Sequence, residues 1–242
     1  MRKAVVLGAT SGIGRAIAEM LIRDGWSVGI GSRRSELLEE LRLTAPERVF
    51  TETLDVRDGT AGDALLRLTE RLGGMDLLFY APGIGHQNAE LDPGIELATV
   101  ETNALGFTRM IGAAYRYMAR HGGGHIAAVS SIAGVRGLGP APAYSATKAL
   151  QHSYLEALSQ LSHARSAGVT FTEIRPGFID TDFIAGSTYP MTMSLQYAAP
   201  LIYRAVMRRR PEAIIDWRWH IVVWLMKIVP GSIWRRIRLT GR

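Results

Sequence analysis

Short, uninterrupted apolar runs alternate with segments of helical period along most of the chain. A run without alternating polar positions is typical of a strand buried on both faces, as in a parallel sheet covered by helices. The pattern therefore predicts an α/β protein with a doubly wound parallel sheet. The predicted strands cover residues 3–7, 27–32, 49–56, 76–80, 125–130, 169–174 and 213–216, and the predicted helices cover 14–23, 36–43, 63–72, 96–120 and 143–163.

The length and composition fit a single domain of this kind. The 242 residues are 47% hydrophobic and 21% charged, which excludes wholesale disorder. The chain contains no cysteine, which excludes disulfides, a thiolate nucleophile and a cysteine-ligated metal site. The apolar run at residues 4–7 is too short for a secretory signal. We expect a cytoplasmic protein without a metal.

The net charge of +6 is unevenly distributed. Residues 1–200 contain 18 Lys and Arg against 20 Asp and Glu, whereas residues 201–242 contain ten basic residues against two acidic ones. Four of the five tryptophans also lie in this last segment. Because the body of the chain is close to neutral, the sequence argues against a nucleic-acid-binding protein.

A glycine-rich turn separates the first predicted strand from the first predicted helix. Its spacing, Gly-x-x-x-Gly-x-Gly, suits a backbone that approaches a dinucleotide pyrophosphate closely, while the helix N-terminus offers N–H groups to the phosphates. A tight turn without a ligand is the alternative. The residues predicted to bind a cofactor here are Gly8, Thr10, Ser11, Gly12, Ile13 and Gly14.

Residues after the second and third predicted strands bear on the choice of cofactor. An acidic side chain at the end of the second strand would bind the ribose 2′-hydroxyl of NAD, whereas arginine accommodates the 2′-phosphate of NADP. Arg33 and Arg34 occupy this place, so NADP(H) is predicted to be preferred over NAD(H), unless both arginines are merely solvated. Asp55 and Val56 are expected beside the adenine.

A tyrosine and a lysine lie four residues apart near the start of the predicted helix 143–163. This spacing places Tyr144 and Lys148 on one helix face. A nearby ammonium favours the phenolate and so lowers the pKa of a tyrosine toward a useful range. Lys148 is one of only three lysines among 28 basic residues, although such a pair also occurs on ordinary helix surfaces. Ser131 follows the fifth predicted strand, at the sheet edge where ligands bind in such folds.

Together these features resemble the short-chain dehydrogenase/reductase family, in its short single-domain branch, over roughly residues 3–182. The resemblance implies a Rossmann fold, with an NADP(H)-binding domain that carries the catalytic residues at 1–185 and a substrate lid and C-terminal helical extension of the same domain at 186–242. It also implies that Ser131 polarises a substrate carbonyl, that Tyr144 is the general acid and base, and that Lys148 lowers the tyrosine pKa and binds the nicotinamide ribose. Asn103 is similar to the family's asparagine that holds a proton-relay water.

Further cofactor contacts follow from the same resemblance. Residues 175–181 are similar to the family's Pro-Gly segment beside the nicotinamide, where Ile179 would contact the carboxamide and Thr181 would help to orient it. The chain departs from the family at Leu7, where threonine is common, and at residues 80–83, which read Tyr-Ala-Pro-Gly in place of Asn-Asn-Ala-Gly. These departures leave the geometry of the loop near the nicotinamide open. The implied contacts are Ala81, Gly83, Pro176, Gly177, Ile179 and Thr181.

The resemblance implies an NADP(H)-dependent oxidoreductase acting on CH–OH and C=O groups. Such a ketoreductase, reversible as an alcohol dehydrogenase, would be a homodimer or homotetramer. His86 and Gln87 would reach the substrate pocket or remain surface residues. A non-catalytic NADP(H)-binding regulatory protein is the alternative, and a nucleotide-sugar epimerase or dehydratase fits less well. The segment 182–194 contains the apolar residues Phe183, Ile184, Tyr189, Met191 and Met193. They favour a hydrophobic, lipid- or steroid-like ketone or secondary alcohol as the substrate. The alternative is a loop that packs on its own core.

The tryptophan- and arginine-rich segment near the C-terminus has two interpretations. Its apolar part, 217–229, has thirteen residues, fewer than the roughly twenty that a membrane-spanning helix needs. Arginines flank it at 208–210 and at 235, 236 and 238. We expect the segment either to make a peripheral membrane contact through 204–238 or to be buried in a subunit interface.

Overall fold

The computed structural model describes residues 2–181 and 189–238. Its strands are β1 (Lys3–Leu7), β2 (Ser27–Ser32), β3 (Val49–Thr53), β4 (Leu77–Tyr80), β5 (Gly124–Val129), β6 (Val169–Arg175), β7 (Ile179–Asp180), β8 (Met193–Ser194) and β9 (Glu212–Ile214). Within the described ranges, seven of them form one parallel sheet in the order β3-β2-β1-β4-β5-β6-β9, and β7 pairs with β8. The doubly wound parallel sheet predicted from the sequence is confirmed.

Helices cover both faces of this sheet. Because successive residues of a strand point to opposite faces, Ala4 and Val6 join one apolar core while Val5 and Leu7 join the other. The helices are α1 (Gly12–Arg23), α2 (Ser35–Arg42), α3 (Ala61–Leu72), α4 (Pro93–Val100), α5 (Phe107–Arg120), α6 (Pro142–Ala164), α7 (Leu195–Met207), α8 (Trp217–Ile228) and α9 (Gly231–Trp234). The first core includes residues of α1, α2, α7 and α8, and the second includes residues of α3, α5 and α6.

The predicted helix 96–120 is more elaborate than its apolar period indicates. It begins at Pro93, where the Asp92 side chain accepts a hydrogen bond from the backbone N–H of Ile95. Between α4 and α5 the backbone forms a π-helical segment, Glu101–Gly106. Such segments are rare and often occur at functional sites, since they leave a backbone group without its usual helical partner.

The C-terminal part of the chain adds the edge strand β9 to the sheet and then continues into α8 and α9. β9 starts one residue before the predicted strand 213–216 and ends at Ile214, because Asp216 caps α8 by accepting from the backbone N–H of Arg218. Across the described ranges, no helix combines the length and hydropathy that crossing a bilayer requires. The predicted boundary between residues 185 and 186 lies outside the described residues, so that division stays a prediction.

Candidate active site

One large cavity borders the carboxyl ends of the sheet strands. Its volume is about 1010 Å³, at the upper end of the roughly 300–1,000 Å³ of a small-molecule pocket. Its walls come from the glycine-rich turn after β1, from the ends of β2 to β6 and from α8. Open parallel sheets bind ligands at this edge, which makes the cavity the candidate site.

The cavity brings together nearly all the residues that are predicted to be catalytic or to bind the cofactor. Asn103 is the exception, since it is fully buried behind the wall. The individual roles of these residues stay predictions. Lining the cavity are Gly8, Thr10, Ser11, Gly12, Ile13, Gly14, Arg33, Arg34, Asp55, Val56, Ala81, Gly83, Ser131, Tyr144, Lys148, Pro176, Gly177, Ile179 and Thr181.

The glycine-rich turn has a geometry that other residues would not tolerate. A Cβ atom at Gly14 would lie 2.1 Å from the carbonyl oxygen of Gly8, and Gly12 has a φ of +51°. The turn leads directly into the N-terminus of α1, whose first turn carries no acidic side chain. N–H groups and the positive end of the helix dipole therefore face the cavity, and this cradle fits the pyrophosphate of a dinucleotide.

Arg34 reaches from the end of β2 back onto the glycine-rich turn. Its Nη2 donates to Thr10 Oγ1 and to Ser11 Oγ, both at 2.8 Å. Arg33 beside it is exposed and lines the same cavity. Two arginines thus line the cavity beside the glycine-rich turn.

Asp55 and Val56 form the neighbouring wall after β3. The Arg57 guanidinium hydrogen-bonds the Asp55 carboxylate, with Nη2 2.6 Å from Oδ2, and this holds the pKa of that carboxyl below its usual range. The backbone oxygen of Val56 accepts from Nη1 of Arg109 at 2.7 Å. Arg57 and Arg109 thus hold this wall of the cavity in place, and the adenine contact expected of Asp55 and Val56 stays a prediction.

Ser131 and Tyr144 meet at the far wall of the cavity. Ser131 begins the short 3₁₀ helix Ile132–Val135, and its Oγ accepts from the backbone N–H of Ala133 at 3.1 Å. Tyr144 lies in the first turn of α6, and its side chain is hydrogen-bonded to Ser131. Burial raises the pKa of Tyr144 to about 12, against the opposing effect of the Ser131 hydrogen bond. The phenol is therefore a proton donor at neutral pH.

Lys148 is buried one turn further along α6. Its Nζ lies 5.6 Å from the centroid of the Tyr144 ring and donates to Val129 O at 3.2 Å and to Gln151 Oε1 at 3.1 Å. Burial lowers the pKa of Lys148 to about 7, while the Glu173 carboxylate acts in the opposite direction. In this structure burial outweighs the lowering effect that Lys148 is expected to have on the Tyr144 pKa.

Asn103 braces the loop after β4 from the π-helical segment. Its side-chain amide accepts from the backbone N–H of Ile84 at 2.9 Å and donates to Ile84 O at 2.7 Å. These bonds fix the backbone of Ile84, the residue that follows the Tyr-Ala-Pro-Gly sequence at 80–83. The backbone oxygen of Asn103 accepts from Nε2 of Gln151 at 2.8 Å. Gln151 therefore bridges Lys148 to the π-helical segment, and the relay water expected at Asn103 stays a prediction.

Near Lys148, the buried Glu173 carboxylate is the centre of a hydrogen-bond network. Oε1 of Glu173 accepts from Ser130 Oγ at 2.6 Å, and its Oε2 lies 2.8 Å from both His152 Nδ1 and Arg175 Nη2. Burial opposes ionisation of Glu173, yet these hydrogen bonds, that of Arg175 foremost, keep its pKa below the usual value. No spacing in the sequence marks Glu173 or Gln151, because their partners come from other elements.

The Pro-Gly segment packs against the C-terminal helix. A Cβ atom at Gly177 would lie 2.0 Å from the Trp219 indole, so α8 approaches this backbone closely. The Trp219 ring meets Phe178 edge-on at 5.6 Å between centroids, and Phe178 stacks on Tyr189 at 4.1 Å. Among the described residues, the buried Nε1 of Trp219 has no hydrogen-bond partner. Sequence reasoning missed Trp219, since nothing local relates it to Gly177.

The loop predicted to close over a substrate is described in part. Phe183 and Ile184 lie outside the described residues. Tyr189 and Met191 line the cavity, as do His86 and Gln87, whereas Met193 is buried in the core. Nε2 of Gln87 lies 3.3 Å from the Tyr189 hydroxyl, so the loop after β4 and the end of the closing segment meet over the cavity.

The chain is similar to known proteins both in sequence and in fold. The short chain dehydrogenase family model matches residues 2–189. An uncharacterised oxidoreductase of Myxococcus xanthus is 32% identical over 98% of this chain and 98% of its own length. A short chain dehydrogenase of Burkholderia cenocepacia, solved in complex with NADP, superposes with a TM-score of 0.84 at 23% identity over 99% of this chain and 100% of its own. An alcohol dehydrogenase of Thermococcus sibiricus, complexed with 5-hydroxy-NADP, has a TM-score of 0.74 at 27% identity, covering 88% and 95%.

Proposed function

The chain belongs to the short-chain dehydrogenase/reductase family and is an oxidoreductase, and from this premise we propose that it reduces a hydrophobic ketone with NADPH. The reverse reaction would oxidise a secondary alcohol. The observation that carries the proposal is that Ser131, Tyr144 and Lys148 line one cavity together with the glycine-rich turn, with Lys148 Nζ 5.6 Å from the centroid of the Tyr144 ring.

The walls of the cavity fit a bound NADP(H). The glycine-rich turn would hold the pyrophosphate, Arg33 and Arg34 the 2′-phosphate, and Asp55 with Val56 the adenine. At the other end, Lys148 would bind the nicotinamide ribose, and the Pro-Gly segment with Ile179 and Thr181 would hold the carboxamide. When bound, the cofactor supplies the hydride. The Burkholderia and Thermococcus proteins were solved with NADP and 5-hydroxy-NADP, which supports this choice.

Ser131 and Tyr144 would divide the chemistry of the carbonyl oxygen between them. Both hydroxyls donate to that oxygen, and Tyr144 gives up its proton as the alcohol forms. Because burial keeps the pKa of Tyr144 at about 12, the phenol carries its proton before the reaction. The phenolate left behind would be stabilised by the Lys148 ammonium, whose Nζ lies 5.6 Å from the centroid of the Tyr144 ring.

The walls of the cavity support the proposed substrate class. Phe178, Tyr189 and Met191 contribute apolar surface from one side, and Trp219 with Met226 contributes it from α8. Apolar and sulfur-containing side chains of this kind suit a lipid- or steroid-like ketone.

Activity measurements with matched variants test the proposal. NADPH oxidation, followed by its absorbance, should require a ketone from a panel of lipid-like, steroid and sugar substrates. Tyr144→Phe should abolish this turnover while NADPH binding survives, and Tyr117→Phe, outside the cavity wall, should leave both unchanged. NADPH binding by the wild type without turnover of any ketone would favour the non-catalytic regulatory alternative.

The assembly and location of the protein complete the proposal. We infer a homodimer or homotetramer, since exposed Leu97, Leu105 and Leu150 lie on α4, the π-helical segment and α6, which contact one another. The cysteine-free sequence supports a cytoplasmic location. Sedimentation analysis and cell fractionation test these two inferences.

A further inference from the structure

The outer side of the C-terminal helices carries an apolar surface that is exposed in the part of the chain that the structure describes. The exposed fraction is 68% for Trp217, 59% for Trp224 and 53% for Ile228. On α8 these residues follow one another at helical spacing and so share one side of the helix. We call this surface the α8–α9 face; its apolar members are Trp217, Ile221, Trp224, Leu225, Ile228, Ile233 and Ile237.

The opposite side of α8 is already packed. Trp219, Val223 and Met226 are buried against the body of the protein. A helix that is apolar all round is normally covered on all sides, because each exposed apolar side chain costs free energy in water. Clustered apolar surface of this kind usually marks an interaction site.

The charges near the α8–α9 face have one sign. Residues 217–238 contain five basic residues and no Asp or Glu. Lys227, Arg235 and Arg236 are exposed, while the Arg218 guanidinium is paired with Asp216 at 2.8 Å. The cations therefore point to an anionic partner.

The other arginine cluster of the tail lies elsewhere. Residues 208–210 precede β9 and so stand at the amino edge of the sheet, whereas α8 follows the carboxyl edge. His125 lies at the start of β5, at this same edge. Burial is the main cause of its lowered pKa, and the positive charge of Arg209 contributes to it. The surface of interest is therefore 217–238 and not the whole of 204–238.

We propose that the α8–α9 face lies on an anionic lipid bilayer, with α8 in the plane of the membrane surface. Tryptophan and isoleucine would enter the boundary between headgroups and acyl chains, and the cations would contact lipid phosphates. A second copy of the chain suits this face less well. A symmetric contact would bring this cationic face, with Lys227, Arg235 and Arg236, against the same cationic face of the other copy.

The α8–α9 face is fastened to the candidate active site. Arg136 donates to the backbone oxygens of Met226 at 2.9 Å and Val229 at 2.6 Å, and Nε1 of Trp234 donates to Gly137 O at 2.9 Å. The inner side of α8 lines the cavity through Trp219, Val222 and Met226. A bilayer on the outer side would thus be one helix away from the cavity, and an apolar substrate could reach it from the lipid. This last consequence rests on the proposed function.

Vesicle co-sedimentation with the full chain tests the membrane proposal. The probes are vesicles of phosphatidylcholine alone and of phosphatidylcholine with about 30% phosphatidylglycerol. We expect binding to the anionic vesicles, weaker binding to the neutral ones, and loss of the difference as salt is raised. Absence of binding to the anionic vesicles at low salt would overturn the proposal.

Substitutions on the α8–α9 face separate its apolar and charged contributions. The double variant Trp224→Ser and Ile228→Ser alters exposed side chains outside the cavity wall and should weaken binding by about tenfold or more. Arg235→Gln with Arg236→Gln should weaken binding to anionic vesicles and leave neutral ones unaffected. Leu43→Ser, at an exposed leucine elsewhere, is the matched control and should bind as the wild type does.

Two further results would contradict the proposal. Vesicle binding that survives the Trp224→Ser, Ile228→Ser variant would place the contact on another surface. A dimer that the same variant dissociates would make a second copy the occupant. Because co-sedimentation requires no turnover, failure of the reductase assay leaves this test intact, and turnover of a water-soluble ketone should be unchanged in the double variant.

Discussion

Burial sets the protonation of the two side chains at the centre of the proposed reaction. It raises the pKa of Tyr144 to about 12 and lowers that of Lys148 to about 7, since a charge is disfavoured at both sites. The sequence shows the spacing of the pair but not its burial, and so it predicts a lowered tyrosine pKa that the structure does not display. Protonated tyrosine is nonetheless the form that a reductase needs.

The pH dependence of ketone reduction should report Lys148. We expect kcat/KM to fall as the pH rises through about 7, because the amine is charged below its folded-state pKa and loses its stabilising charge above it. Tyr144 should add no transition below about pH 10, since it stays protonated there. Lys148→Arg, charged throughout, should remove the fall. A wild-type profile that is flat between about pH 6 and about pH 9 would contradict this assignment.

Cofactor choice is also decided by single residues. Arg33→Ala should weaken NADPH binding by about tenfold or more and leave NADH binding nearly unchanged, because only NADPH carries the 2′-phosphate. Arg42→Ala, on α2 and paired with Glu39, is the control and should change neither affinity. Titration with both cofactors measures the effect, and equal losses for NADPH and NADH would argue against the 2′-phosphate role.

At the scale of elements, the sequence predicts most strands of the sheet but neither the π-helical segment between α4 and α5 nor the side of α8 that packs on the protein. Continuous apolar runs mark the strands because both faces of a parallel sheet are buried. The π-helical segment has no such signal, since one altered turn hardly disturbs the apolar period of the long helix. The inner side of α8 is equally hidden, because an all-round apolar helix does not reveal which side packs on Gly177.

Gln151 should act as a positioning residue that links α6 to the π-helical segment. Gln151→Glu places a carboxylate 3 Å or so from Lys148 Nζ, and should raise the pKa of Lys148 so that the fall in kcat/KM moves to higher pH by about one unit or more. Gln151→Leu should lower kcat without this shift. Gln160→Glu, exposed on the same helix, is the control. An unmoved profile in Gln151→Glu would show that Gln151 has only a packing role.

The contact between α8 and the Pro-Gly segment should stabilise the fold. Trp219→Ala removes a buried indole and should lower the free energy of unfolding by roughly 3–5 kcal/mol. Trp217→Ala removes an exposed indole two residues away and should change it by less than about 0.5 kcal/mol. Denaturant unfolding compares the two variants, and equal effects would mean that α8 is not held as the structure has it.

At the scale of the molecule, both ends of the chain build one site. The glycine-rich turn lies near the N-terminus, the Ser131, Tyr144 and Lys148 group in the middle, and α8 near the C-terminus, and all of them border the same cavity. The sequence locates the first two, because strand ends and helix spacing fix their place. For the basic, tryptophan-rich tail it predicts a membrane contact or a subunit interface, and the structure shows that one side of α8 also lines the cavity.

Transfer of deuterium from cofactor to product tests the central claim most directly. With NADPH deuterated at the transferring position of the nicotinamide, the alcohol formed from a ketone should carry deuterium on its carbinol carbon, as measured by mass spectrometry. Tyr144→Phe should yield no labelled alcohol while it binds NADPH as the wild type does. A wild-type protein that binds NADPH yet labels no ketone product, or a Tyr144→Phe variant that labels it at an undiminished rate, would contradict the account.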